Sequence, residues 1–138
     1  MPGTVLDSHA LLALLRDEPG ADLVRGLLEN AAEKDLSLHM TEVNYAEVQY
    51  IVRRREGDAA WLAIAQELQA APIEFHPVTR SLADVAAGYK ARHKLSLADA
   101  FAAALAKEKK AELVTGDPEF KALEKEKEIT VAWLKDPK

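Results

Sequence analysis

The chain has 138 residues, of which 49% are hydrophobic and 30% charged, and a net charge of −5, a composition typical of one compact globular domain spanning residues 1–138. It contains no cysteine, which excludes disulfide bonds and thiolate metal sites. The sequence has neither a basic region followed by an apolar run at its N-terminus nor a stretch of about 20 apolar residues, so we expect a cytoplasmic protein without signal peptide or membrane span.

Short apolar runs alternate with helical patterns along the whole chain. In chain order the patterns predict strand 4–6, helix 10–15, helix 21–33, strand 36–40, helix 41–55, helix 58–68, strand 73–75, helix 79–93, helix 96–109, strand 111–115, a charged helical turn at 121–128 and strand 129–131. Such alternation indicates right-handed βαβ units. We therefore expect an α/β fold in which a mainly parallel central sheet is flanked by helices on both faces.

Two aspartates come just after predicted strands. Asp7 follows strand 4–6, and Asp117 follows strand 111–115 after one intervening residue. In open parallel sheets, ligands bind beyond the carboxyl ends of the strands, which makes both residues candidates for a site there. Each also has a purely structural interpretation. Asp7 can be the N-cap of the next helix, and Asp117 can be an N-cap with Pro118 in the first helical position.

Two further acids lie on predicted helices. Asp99 comes three residues after Ser96, which is also the spacing of a capping box. Glu47 shares a helical face with Tyr50 and Ile51, and we expect this face to pack on the sheet.

A carboxylate buried on such a face costs several kcal/mol unless it has a partner. For Glu47 that partner is either a base, such as Arg53 or a lysine, or a metal ion. Acids gathered at one end of a sheet predict a site for divalent cations, because Mg²⁺ and Mn²⁺ prefer oxygen ligands.

Four segments around these acids resemble, in the same order, the motifs of the PIN-domain nucleases. The segments are 5–8, 44–48, 95–100 and 115–120, and they contain Asp7, Glu47, Asp99 and Asp117. The resemblance spans residues 5–120, and the short chain is most similar to the toxin component of VapBC-type (type II) toxin–antitoxin systems. It implies a PIN-like α/β/α fold and an endoribonuclease that hydrolyses RNA phosphodiester bonds with Mg²⁺ or Mn²⁺.

The resemblance also implies roles for the acids. Asp7 and Asp99 are expected to be the principal metal ligands, and Asp117 a ligand at a second position or through water. Glu47 is expected to bind through water or to orient the attacking water.

Two hydroxyl groups and two protein partners complete this expectation. Ser8 and Thr115 are expected to orient the carboxylates by hydrogen bonds. The resemblance further implies a homodimer and a cognate antitoxin whose basic or apolar segment covers the acidic groove. An arginine in that segment would suit the site, because guanidinium groups form bidentate pairs with carboxylates.

Two other classes of protein remain open on the residues alone. The first is a phosphoryl-transfer protein, either a haloacid-dehalogenase-like phosphatase or a receiver domain. The phosphatase shares the strand-end Asp7, but His9 stands where it would need a second aspartate, and the acidic pair and strand-end lysine of a receiver are not evident. The second is a catalytically silent PIN-like binding module in which the acids serve only as helix caps.

Overall fold

The computed structural model of the protein describes residues 3–134, and these form a five-stranded sheet in the order β3-β2-β1-β4-β5, with all neighbouring strands parallel. The strands are β1 (Thr4–Leu6), β2 (Leu38–Thr41), β3 (Ile73–His76), β4 (Glu112–Thr115) and β5 (Thr130–Trp133). The helices are α1 (Ser8–Leu15), α2 (Ala21–Glu33), α3 (Glu42–Glu56), α4 (Asp58–Ala70), α5 (Arg80–Arg92), α6 (Leu97–Lys109) and α7 (Lys121–Lys125). The predicted α/β fold class is confirmed.

Side chains from the two faces of the sheet enter two different apolar clusters. Val5 and Leu113 pack with residues of α5 and α6, whereas Leu6, Met40 and Val114 pack with residues of α1 to α4. This division follows from the alternation of side chains along a strand, and helices cover both faces because the sheet is parallel. No helix in residues 3–134 is long and apolar enough to cross a membrane.

The strand order reverses direction beside β1. Strands β2 and β3 lie on one side of β1, and β4 and β5 lie on the other. The carboxyl ends of β1 and β4 therefore meet at a topological switch point, where open α/β sheets bind their ligands. Asp7 follows β1 and Asp117 follows β4, so the fold brings the ends of these two segments together.

Most predicted boundaries differ from the structure by one or two residues, and three of the differences have a clear local cause. The first helix begins at Ser8 rather than at residue 10, because Asp7 caps it. The second strand is Leu38–Thr41 rather than 36–40, because the chain still turns at Leu36, whose N–H bonds the Ala31 carbonyl. Instead of one helical turn at 121–128, a 3₁₀ turn at Pro118–Phe120 leads into the short helix α7.

Candidate metal centre

Asp7 lies wholly inside the protein, at the junction of β1 and α1. One of its oxygens, Oδ1, accepts the Ala10 N–H at 2.8 Å, which makes Asp7 the N-cap of α1. The other oxygen, Oδ2, accepts a short hydrogen bond from the Thr115 hydroxyl group. Burial raises the pKa of the Asp7 carboxyl to about 6, although the hydrogen bonds from Thr115 and Ala10 act in the opposite direction. The capping interpretation is thus confirmed, and the carboxylate is also held in one orientation.

Thr115 connects the ends of β1 and β4. Its Oγ1 donates to Asp7 and accepts the Asp117 N–H at 3.0 Å. Asp117 in turn accepts the Glu119 N–H at 2.9 Å and so caps the 3₁₀ turn that begins at Pro118. Thr115 therefore holds the Asp7 carboxylate by a hydrogen bond and fixes the backbone from which Asp117 projects, and its role in orienting a metal ligand stays a prediction.

Asp99 approaches this junction from the first turn of α6. Ser96 is the N-cap of that helix and accepts the Asp99 N–H at 3.0 Å. Carboxylate oxygens of Asp99, Asp117 and Glu119 all lie within 4.8 Å of one another. Burial, together with the neighbouring carboxylates of Asp117 and Asp7, raises the pKa of the Asp99 carboxyl to about 8. Asp7 is not part of this 4.8 Å group but lies close enough to act on the pKa of Asp99, and together the four acids form the acidic cluster.

His9 lies close enough to lower the pKa of Asp7, but no lysine or arginine pairs with the acidic cluster within residues 3–134. Among the ion pairs formed within residues 3–134, none includes Asp7, Asp99, Asp117 or Glu119. Several carboxylates that share a half-buried place without a lysine or arginine are destabilised by mutual repulsion and by lost hydration. A divalent cation with oxygen ligands would remove both costs, so the residues present fit Mg²⁺ or Mn²⁺.

Glu119 was not among the predicted site residues. It lies on the 3₁₀ turn, two residues after Asp117, and its side chain is exposed. The signal in the sequence is the Asp-Pro-Glu run, since a capped turn places the side chains of its first and third residues near each other.

The structure places Glu47 differently from the sequence prediction. The buried residues of α3 are Asn44, Val48 and Val52, whereas Tyr50 is 47% exposed. The prediction that the face of Glu47 and Tyr50 packs on the sheet is therefore wrong. Glu47 is half-buried, beside the packed face rather than on it, and it is not one of the acids within 4.8 Å of one another. The suggested pairing with Arg53 is also wrong, because Arg53 binds Asp58. The catalytic role of Glu47 stays a prediction.

Asn44 is the polar residue that the sequence analysis missed. It is fully buried, and its amide donates to Ser8 Oγ at 3.0 Å and to the Ala98 carbonyl at 3.2 Å. Its side-chain oxygen accepts from the hydroxyl of Thr41, the N-cap of α3. Ser8 also donates to the Asn44 carbonyl at 3.3 Å, so its hydroxyl bonds α3 rather than a carboxylate, contrary to expectation. Asn44 thereby joins α3 to the first turns of α1 and α6, beside Asp7 and Asp99.

The raised pKa of Asp7 predicts an unusual pH dependence of stability. In the unfolded chain the carboxyl has its ordinary pKa near 3.8, so between that pH and about 6 the folded state binds more protons. Stability in EDTA should therefore fall as the pH rises through this window. Since a tenfold change in proton affinity is about 1.4 kcal/mol, the loss attributable to Asp7 is about 3 kcal/mol.

Urea unfolding of wild type and Asp7→Asn, in EDTA between pH 4 and 8, checks this expectation. The comparison between the two proteins is needed because His39, whose pKa is lowered by burial, contributes the opposite slope in both. The free energy of unfolding of Asp7→Asn, relative to wild type, should rise with pH. If the difference in free energy of unfolding between the two proteins stays constant from pH 4 to 8, the raised pKa of Asp7 is contradicted.

The chain is similar to known proteins over most of its length. The family model of the PIN domain matches residues 4–126. Ribonuclease VapC of Mycolicibacterium smegmatis is 33% identical over 121 residues, which cover 83% of this chain and 86% of that protein.

Solved structures share the fold at lower identity. VapBC2 from Rickettsia felis, bound to a DNA fragment from its promoter, has a TM-score of 0.74 at 15% identity, over 94% of this chain and 97% of that one. VapC20 of Mycobacterium tuberculosis, a sarcin–ricin loop cleaving toxin, has a TM-score of 0.68 at 21% identity, over 87% and 94% of the two chains. The family match extends from β1 through the segment that carries Asp117 and Glu119, and it includes every acid of the cluster. The chain belongs to the PIN domain family.

Proposed function

We propose that this protein is a Mg²⁺- or Mn²⁺-dependent endoribonuclease and the toxin of a toxin–antitoxin pair. The observation that carries the proposal is the convergence of Asp7, Asp99 and Asp117, without a balancing lysine or arginine, at the switch point of a PIN-domain sheet. The similarity to Ribonuclease VapC supports RNA as the substrate. Membership of the PIN domain family leaves no role for the phosphatase or receiver alternatives.

The acids have distinct parts in this mechanism. Asp99 and Asp117 would hold the cation together with Asp7, whose carboxylate is fixed in orientation by its hydrogen bonds to Thr115 and Ala10. Glu119 adds a further oxygen at the exposed side of the cluster. When bound, the cation supplies Lewis-acid activation of water and stabilises charge on the phosphate. Glu47 acts from α3 by accepting a hydrogen bond from the water that attacks phosphorus.

An exposed aromatic and basic surface on α3 suits an RNA chain. Tyr50 is one helical turn after Glu47, and the Arg54 guanidinium lies 5.1 Å from the centre of its ring. Unstacked RNA bases bind by stacking on aromatic rings and on guanidinium planes, and arginine also contacts phosphate. This surface can therefore hold a single-stranded or looped RNA beside Glu47, in spite of the net charge of −5.

The partners in this proposal are a second copy of the chain and an antitoxin. The similar structures from Rickettsia felis and Klebsiella pneumoniae are toxin–antitoxin complexes, which supports the second. The excess negative charge at the site favours an arginine-bearing antitoxin segment, since a guanidinium group there would replace the cation as the balancing charge.

Cleavage of a panel of structured RNAs by the purified protein tests the proposal. The panel includes a sarcin–ricin loop, because that is the target named for the Mycobacterium tuberculosis relative. We expect cleavage with Mg²⁺ or Mn²⁺, none with EDTA, and none with Asp7→Asn, which keeps a side-chain oxygen to cap α1. Calorimetry with Mn²⁺ on the same samples excludes the silent-module alternative if wild type binds the ion and Asp7→Asn does not. A folded wild type that neither cleaves RNA nor binds Mn²⁺ would support that module instead.

A further inference from the structure

Two histidines and a glutamate form a second group of potential metal ligands, on strands β2 and β3. His39 Nδ1 lies 2.9 Å from His76 Nε2, and that nitrogen lies 3.4 Å from Glu74 Oε2. One ligand atom from each of the three residues lies within 4.8 Å of the other two. None of these residues belongs to the acidic cluster of Asp7, Asp99, Asp117 and Glu119.

The strand register holds the three side chains together. His39 of β2 is directly opposite Glu74 of β3, and His76 comes two residues later on the same strand. Residues two apart share a face of the sheet. The alternate residues of β3, Ile73 and Phe75, pack into the apolar cluster on the other face, so the face that carries Glu74 and His76 is fixed by that packing.

The group is accessible to ions from solution. Glu74 is exposed, and both histidines are half-buried. His39 and Glu74 line an open cleft of about 580 Å³. A β-carbon at position 3 would lie 3.2 Å from His39 Nε2, so glycine at this position leaves room for the imidazole.

We propose that His39, Glu74 and His76 bind a zinc ion. Two imidazole nitrogens and a carboxylate oxygen form a ligand set that zinc uses in proteins, with a fourth position left for water. Nitrogens bound to one tetrahedral Zn²⁺ at 2.0–2.1 Å lie about 3.3 Å apart, so the rings need to separate by only about 0.4 Å from their present contact. The proton shared between the two nitrogens moves to the other nitrogen of its own ring, which leaves both neutral imidazoles free to coordinate.

The two sites select different metals by the chemistry of their ligands. Oxygen-only ligands suit Mg²⁺ and Mn²⁺, whereas imidazole suits Zn²⁺ and its transition-metal neighbours. The zinc ion would tie β3, which is at the edge of the sheet, to β2. Strand β2 ends at Thr41, the N-cap of α3, so zinc would stabilise the strand pair from which α3 begins.

Zinc binding by tag-free, full-length protein tests the proposal, since a histidine tag would itself bind the ion. Calorimetry should show one Zn²⁺ per chain and a melting temperature that rises with Zn²⁺. The affinity should fall at least about 100-fold in His76→Gln and in Glu74→Gln, because even groups that only orient metal ligands are worth about 10- to 100-fold. The Glu74→Gln variant retains both histidines and the core packing of β3.

Two variants serve as controls for other zinc sites. His93 pairs with Glu126 at 3.0 Å but belongs to no group of three potential ligands in the described part of the chain, so His93→Gln should bind Zn²⁺ like wild type. Asp99→Asn should also keep zinc binding, while losing Mn²⁺ at the acidic cluster. Equal Zn²⁺ affinity in wild type, His76→Gln and Glu74→Gln would overturn the assignment, as would a loss of zinc with Asp99→Asn alone. Because these readouts need no RNA, failure of the zinc site is distinguishable from failure of the proposed ribonuclease activity.

Discussion

Asp99→Asn is expected to reduce RNA cleavage by at least about a thousandfold, equivalent to about 4 kcal/mol of transition-state stabilisation, because it removes a ligand on which the cation depends. The same change should stabilise the metal-free protein at pH 8. Burial and the carboxylates of Asp117 and Asp7 raise the pKa of Asp99 to about 8. Asparagine keeps the shape of the side chain and has no charge to be buried or repelled.

The pH dependence follows from the direction of this pKa change. A carboxyl whose pKa is higher in the folded state contributes its full stabilisation below the unfolded pKa, near 3.8, and loses it as the pH rises through about 8. Wild type in EDTA should therefore become less stable between pH 4 and 8, and Asp99→Asn should lose less over that range. Saturating Mn²⁺ should reverse the order of the two proteins at pH 8, since only wild type binds the ion tightly.

Parallel measurements of RNA cleavage and of urea unfolding, with EDTA and with Mn²⁺, check both halves of the prediction. Asp84→Asn is the matched control, because Asp84 is an exposed aspartate of α5 and lies outside the acidic cluster. It should leave cleavage and stability within about 0.5 kcal/mol of wild type. If Asp99→Asn cleaves RNA at the wild-type rate, or is less stable than wild type in EDTA at pH 8, Asp99 is a helix-cap residue and not a metal ligand.

The aspartates of the cluster could be predicted because their signals are local. Asp7, Asp99 and Asp117 each lie within three residues of a strand end or a helix start, and such boundaries are readable from a few neighbouring residues. Helix capping and metal binding are alternative interpretations of each aspartate in the sequence. The structure shows that one carboxylate can cap a helix with one oxygen, as Asp7 does, while the side chain still belongs to the cluster.

The orientation of α3 could not be predicted from its apolar periodicity. The packed face of the helix contains a fully buried asparagine where a hydrophobic residue is expected. Because Asn44 counts as polar in the periodicity, the predicted packed face is displaced around the helix towards Glu47. Only the three-dimensional partners of Asn44, on α1, β2 and α6, explain why a polar side chain is tolerated there.

The histidine group was missed for a related reason. His39 and His76 are 37 residues apart, and the spacing of the histidines in the sequence resembles no metal motif. Their proximity depends on the pairing of β2 with β3, whose register is set by packing of the alternate residues in the core. A pattern within one segment contains no information about that register.

Asn44→Ala is expected to destabilise the protein by about 3 kcal/mol, which is large for a single substitution. The change removes three buried hydrogen bonds of the amide, to Ser8, Thr41 and Ala98, and each is worth about 1 kcal/mol. The Ser8 and Thr41 hydroxyls keep their bonds to the backbone of residue 44, whereas the Ala98 carbonyl loses the amide donor. Cleavage should fall as well, because the Asn44 amide bonds the first turn of α6 one residue before Asp99.

Urea unfolding in the presence and absence of Mn²⁺ separates the two effects of Asn44→Ala. Asn30→Ala is the control, since Asn30 is an exposed asparagine of α2, and it should change the free energy of unfolding by less than about 0.5 kcal/mol. If Asn44 positions the acids, Asn44→Ala should also bind Mn²⁺ more weakly at temperatures where it is fully folded. A variant that is destabilised but binds Mn²⁺ as wild type does would limit Asn44 to holding α3 in place. A change in the free energy of unfolding below about 1 kcal/mol would mean that the side-chain hydrogen bonds of Asn44 contribute little to stability, and it would contradict the prediction.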